Sequence, residues 1–299
     1  MNKAVVSTLF ALVLGGTAQA ADLGTMRAAP AAPVVVSPWD FAIGAALKSD
    51  YNFRGISQSD RAPAVSGYGE LRYNFTDTLQ AYAGVAGSSV KLATKPSMEL
   101  DVYAGVRPTF GALAFDFGAI GYIYPREQQL VDVGLPAIPL AGFGTLTPRN
   151  TDFFELYGKA AYTINDMFTV GANLYWSPNW LNTGASGTYA SATAKVSLPY
   201  SLALSGEFGR YWIGTSDTYL GPTNYPDYNY WNAGLAYTYK FATLDLRYHD
   251  TNLNKNQCFA LGSDPRGTVA FGNGSGGSRW CGAAFIATLS FDLTSKDIK

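Results

Sequence analysis

Three groups of side chains in this sequence are of types that can carry chemistry, and the first is a single imidazole. His249 is the only histidine of the chain, with Tyr248 and Asp250 on either side. A catalytic histidine needs a nucleophile within reach and a third group that orients the ring. The spacing around His249 does not indicate a Ser-His-Asp arrangement. We therefore predict no catalytic residue and interpret the protein as a non-enzyme.

The second group is a pair of thiols. Cys258 and Cys281 are the only two cysteines, and the Gly- and Ser-rich run FGNGSGGS lies between them. Two cysteines alone cannot complete a tetrahedral zinc site, so we expect neither a metal nor a cofactor. In an exported protein the two thiols can oxidise. A disulfide would close a loop of about 24 residues and contribute roughly 3 kcal/mol in the chain-entropy model; two free thiols are the alternative.

The third group consists of charged side chains set between small or apolar residues, and we predict that they face one interior. Charges at a constriction can select solutes, whereas the same charges paired with one another would fill a narrow interior. Both readings stay open, and the mixed signs predict no preference for anions or cations. The predicted interior residues are Lys48, Asp50, Arg54, Glu70, Arg72, Glu99, Asp101, Arg107, Asp116, Glu155, Lys159, Lys195, Glu207, Asp245 and Arg247.

The β-strands that place these charges are predicted from a sequence pattern that repeats every two residues. From Trp39 to Phe53 the odd positions are mostly apolar or aromatic, and the even positions are small, polar or charged. Such alternation predicts a β-strand with one apolar and one polar face. On this pattern Tyr51 and Phe53 belong to the apolar outer face and Arg54 to the polar inner face.

The same alternation recurs in about twelve segments, separated alternately by tight turns and long loops. The tight turns are NFTDT, RPTFG, TINDM, LPYS and KFA. Apolar outward faces, polar inward faces and this alternation of connections are typical of outer-membrane barrels. We therefore predict an all-β fold, a transmembrane antiparallel up-and-down β-barrel of about 12 strands. The barrel must be closed, because an open sheet edge in lipid would leave backbone groups unpaired.

The N-terminus predicts export. Lys3 precedes a short apolar run that ends in Ala18-Gln19-Ala20, which is the pattern of a secretory signal peptide over residues 1–20. Residues 21–38 are rich in Ala and Pro and are interpreted as a periplasmic linker. Residues 39–299 then form the barrel. The expected location is the bacterial outer membrane.

One stretch carries a family resemblance. The segment KSDYNFRGISQSDRAPAVSGYGEL, with Ser49, Asp50, Tyr51, Phe53 and Arg54 at its start, resembles the N-terminal signature of the TorF family of Gram-negative porins. The similarity is specific over about 25 residues and elsewhere amounts to the barrel pattern. It implies an outer-membrane barrel with a pore, and no defined substrate. Many such barrels end on an aromatic residue, whereas here Phe291 is followed by DLTSKDIK; either a short tail follows the last strand, or the register of that strand differs from the predicted one.

Together these features predict an outer-membrane porin-like channel for passive diffusion of small hydrophilic solutes. The alternative is a structural or surface-interaction barrel with a blocked lumen; a lipid-modifying enzyme is disfavoured because His249 has inward parity. Expected partners are outer-membrane lipid, lipopolysaccharide, the barrel-insertion machinery and the solutes, with a homo-oligomer left open. A formal net charge of −1 gives no basic surface for nucleic acid. The apolar loop from Pro125 to Asn150 could fold into the lumen, pack on a neighbouring subunit or extend freely.

Overall fold

A computed structural model of the chain describes residues 38–128, 148, 150–217, 224–264, 266, 268–270, 275–295 and 297. The predicted signal peptide, residues 1–20, lies outside the described residues, as does the predicted linker, residues 21–38, except for Pro38. Most of the loop from Pro125 to Asn150 also lies outside them.

Strands dominate the described residues, with two short helical segments in the loops. The helical segments are a 3-10 turn at Trp180–Asn182 and helix α1 at Lys255–Gly262. The strands are β1 Trp39–Lys48, β2 Asn52–Phe53, β3 Ile56–Ser57, β4 Ala64–Thr76, β5 Leu79–Ser88, β6 Glu99–Phe110, β7 Leu113–Ile123, β8 Phe153–Thr163, β9 Phe168–Ser177, β10 Gly187–Leu198, β11 Leu202–Ile213, β12 Tyr228–Tyr239, β13 Ala242–Thr251, β14 Thr268–Ala270, β15 Ser275–Gly277 and β16 Ala284–Thr294.

Twelve of these strands close into one barrel. Each long strand pairs antiparallel with the next long strand along the chain, and β1 pairs with both β4 and β16. The ring order is therefore β1, β16, β13, β12, β11, β10, β9, β8, β7, β6, β5, β4. Closure satisfies the backbone groups that an open sheet would expose at its edges. The predicted antiparallel barrel of twelve strands is confirmed.

The two faces of the wall differ as the alternation predicts. On β13, Leu244 and Leu246 are exposed on the outside, whereas Asp245 and Arg247 are buried inside. Leu246 lies beside Leu235 of β12 and Ala287 of β16, which also point outward. Because successive side chains of a strand point to opposite faces, one register produces both an apolar outside and a charged inside.

The two ends of the barrel are also different. One end carries the tight turns between paired strands, and the other carries the long loops with α1, the 3-10 turn and the small sheets β2–β3 and β14–β15. Helix α1 begins at a capping box, in which the Asn254 side chain accepts from the backbone of Asn256 and Gln257. Within the described ranges, no helix is both long and apolar enough to cross a membrane.

The first strand is shorter than its sequence pattern. β1 ends at Lys48, and the chain then turns inward, so the prediction that Tyr51 and Phe53 face the outer interface is wrong. Tyr51 is only 1% exposed, and its hydroxyl donates to Glu99 inside the barrel. Phe53 packs edge-on against Tyr122 at a centroid distance of 5.8 Å. The alternation continues past Lys48, but these residues no longer belong to the wall.

Candidate functional site

A hairpin from the first loop spans the barrel at its long-loop end. This first-loop hairpin comprises β2, β3 and the two residues between them, Arg54 and Gly55. It begins just after β1, yet its tip contacts side chains of β8, β9, β10 and β11. In the ring order, β9 lies six strands from β1 in either direction. The hairpin therefore crosses the full width of the lumen.

At the tip, Arg54 is enclosed by the opposite wall. Its Nη1 and Nη2 donate to the two carboxylate oxygens of Glu155 at 2.6 and 2.7 Å, a bidentate pair buried at both ends. The guanidinium carbon lies 4.6, 4.5 and 5.0 Å from the ring centres of Tyr175, Tyr189 and Tyr211. We call Glu155 and these three tyrosines the tyrosine cage.

The Arg54 side chain stays positively charged in this setting. Burial by itself lowers the pKa of its guanidinium, but the Glu155 carboxylate together with the Tyr211 and Tyr122 hydroxyls outweighs that effect and holds the pKa well above its ordinary value. Rings within about 6 Å attract a cation through their quadrupoles, and the attraction grows when water is excluded. The cage therefore holds a charged, planar group through both a carboxylate and aromatic faces.

Gly55 is required beside Arg54 for steric reasons. Its φ is +91°, and a Cβ there would lie 2.2 Å from Cγ2 of Thr251 and 2.9 Å from Cδ2 of Tyr230. Glycine alone adopts this backbone conformation without strain and leaves room for the wall. The hairpin tip thus fits closely against β12 and β13 as well as against the cage.

The base of the hairpin is fastened to the last long loop. Arg61 donates from Nη2 to the carbonyl oxygens of Arg279, Trp280 and Gly282 at 3.0, 2.9 and 2.6 Å. Its Nη1 donates to Asp50 at 3.2 Å. Three carbonyls on one guanidinium hold the first and last loops together, although they are far apart in sequence.

The same loop contains the predicted disulfide partners. The sulfur atoms of Cys258 and Cys281 are bonded, with a Cα–Cα distance of 5.7 Å. Cys258 lies on α1, and the carbonyl of Cys281 accepts from the Thr251 hydroxyl at 2.6 Å. The disulfide and this hydrogen bond together connect α1 to β13, the strand that ends beside the hairpin tip.

Fourteen of the fifteen predicted interior residues are buried inside the barrel, and Glu207 is half-buried. They form several separate groups of contacts.

One group contains Glu99, which accepts from the hydroxyls of Tyr51 and Tyr124, and Lys48, whose Nζ lies 4.4 Å from the centre of the Tyr51 ring. Asp101 lies nearby with neither carboxylate oxygen hydrogen-bonded to a described residue. Asp50 accepts from Ser57 of the hairpin and from Ser59 and Arg61, which follow it.

A second group lies toward the tight-turn end. Arg107 donates a fork to Glu70 at 2.8 and 3.0 Å and approaches Asp116 at 3.4 Å. Arg72 donates to the same Glu70 at 2.5 Å. Lys159 lies 4.9 Å from the centre of the Tyr157 ring on the same strand. This arrangement pairs opposite charges across β4, β6 and β7.

A third group lies between β11, β12 and β13. Arg247 donates to Asp245 at 3.0 and 2.8 Å and to Asn232 at 2.7 Å, and Asn232 donates to Glu207 at 3.2 Å. His249 is buried against Tyr230, whose hydroxyl is 2.8 Å from Nδ1. Lys195 is buried on β10. No cluster of metal-ligand type occurs among the described residues.

Sequence reasoning missed the aromatic lining of the lumen. Tyr157, Tyr175, Tyr189, Tyr211 and Tyr228 come from five successive strands, and each ring lies 5.5 to 6.3 Å from the next. All five occupy inward positions, so the parity that located the charges could also have located them. Interpreting tyrosine as a residue of the outer interface concealed this lining.

Beyond the hairpin is a small cavity at the mouth. It has a volume of about 130 Å³ and is bordered by Phe53, Tyr124, Trp180, Tyr225 and Trp280, among others. The residues that line it carry no charge.

Comparisons with known proteins add a family and a set of similar folds. A chain from a study of in-meso crystallization of membrane proteins has a TM-score of 0.48 at 12% identity, with 86% of this chain and 84% of that chain covered. The NanC porin has a TM-score of 0.45 at 10% identity, with 85% of this chain and 100% of that chain covered. Outer-membrane expressed OmpT of Vibrio cholerae has a TM-score of 0.41 at 10% identity, with 87% of this chain and 99% of that chain covered.

These TM-scores are below 0.5, so the fold assignment depends on the strand pairing of the barrel itself. No curated protein matches the chain. A family model described as a bacterial protein of unknown function (Gcw_chp) matches residues 32–270, which is most of the sequence. The chain therefore belongs to the Gcw_chp family of bacterial proteins of unknown function.

Proposed function

We propose that this protein is an outer-membrane channel for passive diffusion of small hydrophilic solutes, with its mouth narrowed by the first-loop hairpin. The observation that carries the proposal is the sidedness of the wall, which is apolar outside and charged inside along its length. An apolar exterior suits lipid, and a polar interior suits water and hydrophilic solutes. The TorF resemblance of the segment that starts at Ser49 agrees with this function.

The remaining parts of the proposal follow from export. Residues 1–20 act as the signal peptide, residues 21–38 as a periplasmic linker and residues 39–299 as the barrel. The chain is inserted by the barrel-insertion machinery and is surrounded by outer-membrane lipid and lipopolysaccharide. Permeation needs no catalyst, and the one histidine is stacked on Tyr230 at a centroid distance of 5.9 Å. The protein is accordingly proposed to have no enzymatic activity.

A second candidate is a barrel with a blocked lumen that serves a structural or surface role. The hairpin across the lumen favours it, as do the opposite charges paired at the hairpin tip and in the second and third groups. Internal pairing of this kind can fill a barrel without leaving a path for solutes. The two candidates differ in whether the hairpin withdraws.

Single-channel conductance of the purified protein in planar bilayers separates the candidates. A channel gives discrete current steps, with brief closures as the hairpin moves. Arg54→Ala should raise the open fraction or the step size, because it removes the bidentate contact with Glu155. If neither the parent nor Arg54→Ala conducts above a protein-free bilayer, the channel function is refuted and the blocked barrel is favoured.

A further inference from the structure

The tyrosine cage belongs to the wall of the barrel, and the group inside it belongs to a loop. Glu155, Tyr175, Tyr189 and Tyr211 are contributed by β8, β9, β10 and β11. Arg54 is connected to them only through the first-loop hairpin. If the hairpin moved away, the wall would keep a carboxylate and three aromatic faces around a space the size of a guanidinium group. This division separates a binding site from its occupant.

The cage is held in place by contacts of its own. The hydroxyls of Tyr122 and Tyr211 donate to Glu155 at 3.1 and 3.4 Å, and the Tyr189 hydroxyl donates to Glu207 at 2.7 Å. These bonds join wall residues and do not involve Arg54. A site whose side chains are already oriented loses little freedom when it binds a ligand.

Arg54, by contrast, fits the cage only through its guanidinium head. Nη1 and Nη2 make the fork with Glu155, while Nε has no hydrogen-bond partner among the described residues. Its backbone has φ +46°, a region that side-chain-bearing residues adopt infrequently. The wall therefore contacts only the planar, charged end of the Arg54 side chain. It makes no hydrogen bond to Nε, and the backbone of Arg54 is held in an infrequently adopted conformation.

We propose that the tyrosine cage binds the guanidinium group of a permeating solute, and that Arg54 occupies the site at rest as an internal competitor. The proposal rests on the channel function above and adds a substrate class to it, namely small molecules that carry an alkylguanidinium group. A planar guanidinium can form the bidentate hydrogen bonds with the carboxylate and also contact the aromatic faces. A compact ammonium forms the bidentate pair poorly.

Competition with Arg54 sets the expected affinities. A group tethered by a short loop acts at an effective concentration of the order of millimolar or above, so a free solute competes poorly in the parent. Removing the Arg54 side chain removes the competitor and leaves the wall unchanged. Binding should therefore be tighter in the variant than in the parent, the opposite of what deleting an ordinary binding residue does.

The test measures binding of ethylguanidinium to detergent-solubilised protein by isothermal titration calorimetry. Arg54→Ala should bind it at least about tenfold more tightly than the parent, because the tethered competitor is gone. Ethylurea, a neutral molecule of similar shape, should not bind, and ethylammonium should bind more weakly. The double variant Arg54→Ala/Glu155→Gln should lose the gain. Arg210→Ala is the matched control, since it removes a rim arginine paired with exposed Asp227.

Equal affinity of the parent and Arg54→Ala, or equal binding of ethylurea, would overturn the proposal. If Arg54→Ala does not fold, Arg54→Gly replaces it, since glycine tolerates the positive φ. A measurement on the parent needs no variant: ethylguanidinium, but not ethylurea, should speed hydrogen exchange of the amides at residues 52–57 by displacing the hairpin. Unchanged exchange at saturating ethylguanidinium also refutes the competition.

These readouts are independent of conductance. Binding without conductance would refute the proposed channel and leave the cage standing as a guanidinium site. Conductance without preferential binding to Arg54→Ala would refute the cage alone. Comparing ethylguanidinium with free L-arginine and with a short arginine-containing peptide then shows which size of alkylguanidinium solute the mouth admits.

Discussion

An arginine on the outside of the wall would show what surrounds the barrel. Leu246 is 55% exposed and lies near the middle of β13, with Leu235 and Ala287 beside it on the same face. A strand of this length, at about 3.4 Å per residue and tilted about 45°, spans roughly 24 Å of height. Position 246 is thus close to the centre of an apolar band of about 25 Å.

Leu246→Arg should therefore lower the free energy of unfolding from lipid by about 2–4 kcal/mol, the cost of a cation at mid-bilayer. At about 1.36 kcal/mol for each tenfold change, that corresponds to roughly 30-fold to 900-fold in the folding equilibrium. If the same face were in water, an exposed leucine could be replaced by arginine within about 0.5 kcal/mol. The two environments predict costs that differ several-fold.

Reversible urea unfolding from lipid vesicles, followed by tryptophan fluorescence, measures this cost. Leu246→Ala serves as the control, because it shortens the apolar side chain without adding a charge. A cost for Leu246→Arg below about 0.5 kcal/mol, or one equal to that of Leu246→Ala, would refute a lipid-facing wall.

Four further predictions test other parts of the structure. Asp245→Asn, which parity alone suggests is mild, should cost about 1.5–3 kcal/mol by the same unfolding assay, because it removes the charged partner of buried Arg247; a cost near zero would contradict that pairing. Gly55→Ala should displace the hairpin tip and raise conductance, and a parent-like current would show that the tip has room to spare. Cys258→Ser should lower stability by roughly 3 kcal/mol and abolish the mobility difference between reduced and non-reduced gels, whereas alkylation of both thiols in the oxidised parent would exclude the bond. N-terminal sequencing of outer-membrane fractions should find a chain that begins near Ala21, and an intact signal segment in the inner membrane would overturn the proposed export.

The sequence by itself determined the wall of this barrel. Alternation of apolar and polar residues follows from the geometry of a single strand, so it is visible in any one segment such as Ala242–Thr251. Twelve such segments with alternating short and long connections predict the closed barrel and the inward position of the charges. The identity of two cysteines around one loop likewise suggests their pairing without further information.

Only the tertiary structure decided what fills the barrel. The alternation from Trp39 continues through Tyr51 and Phe53, and nothing local distinguishes residues that pair with the wall from residues that turn into the lumen. Arg54 and Glu155 are 101 residues apart, and they meet only because the closed ring places β8 and β9 opposite β1. A contact across a lumen depends on the order of strands in the ring and on the course of a loop. The alternation of residues within one strand specifies neither.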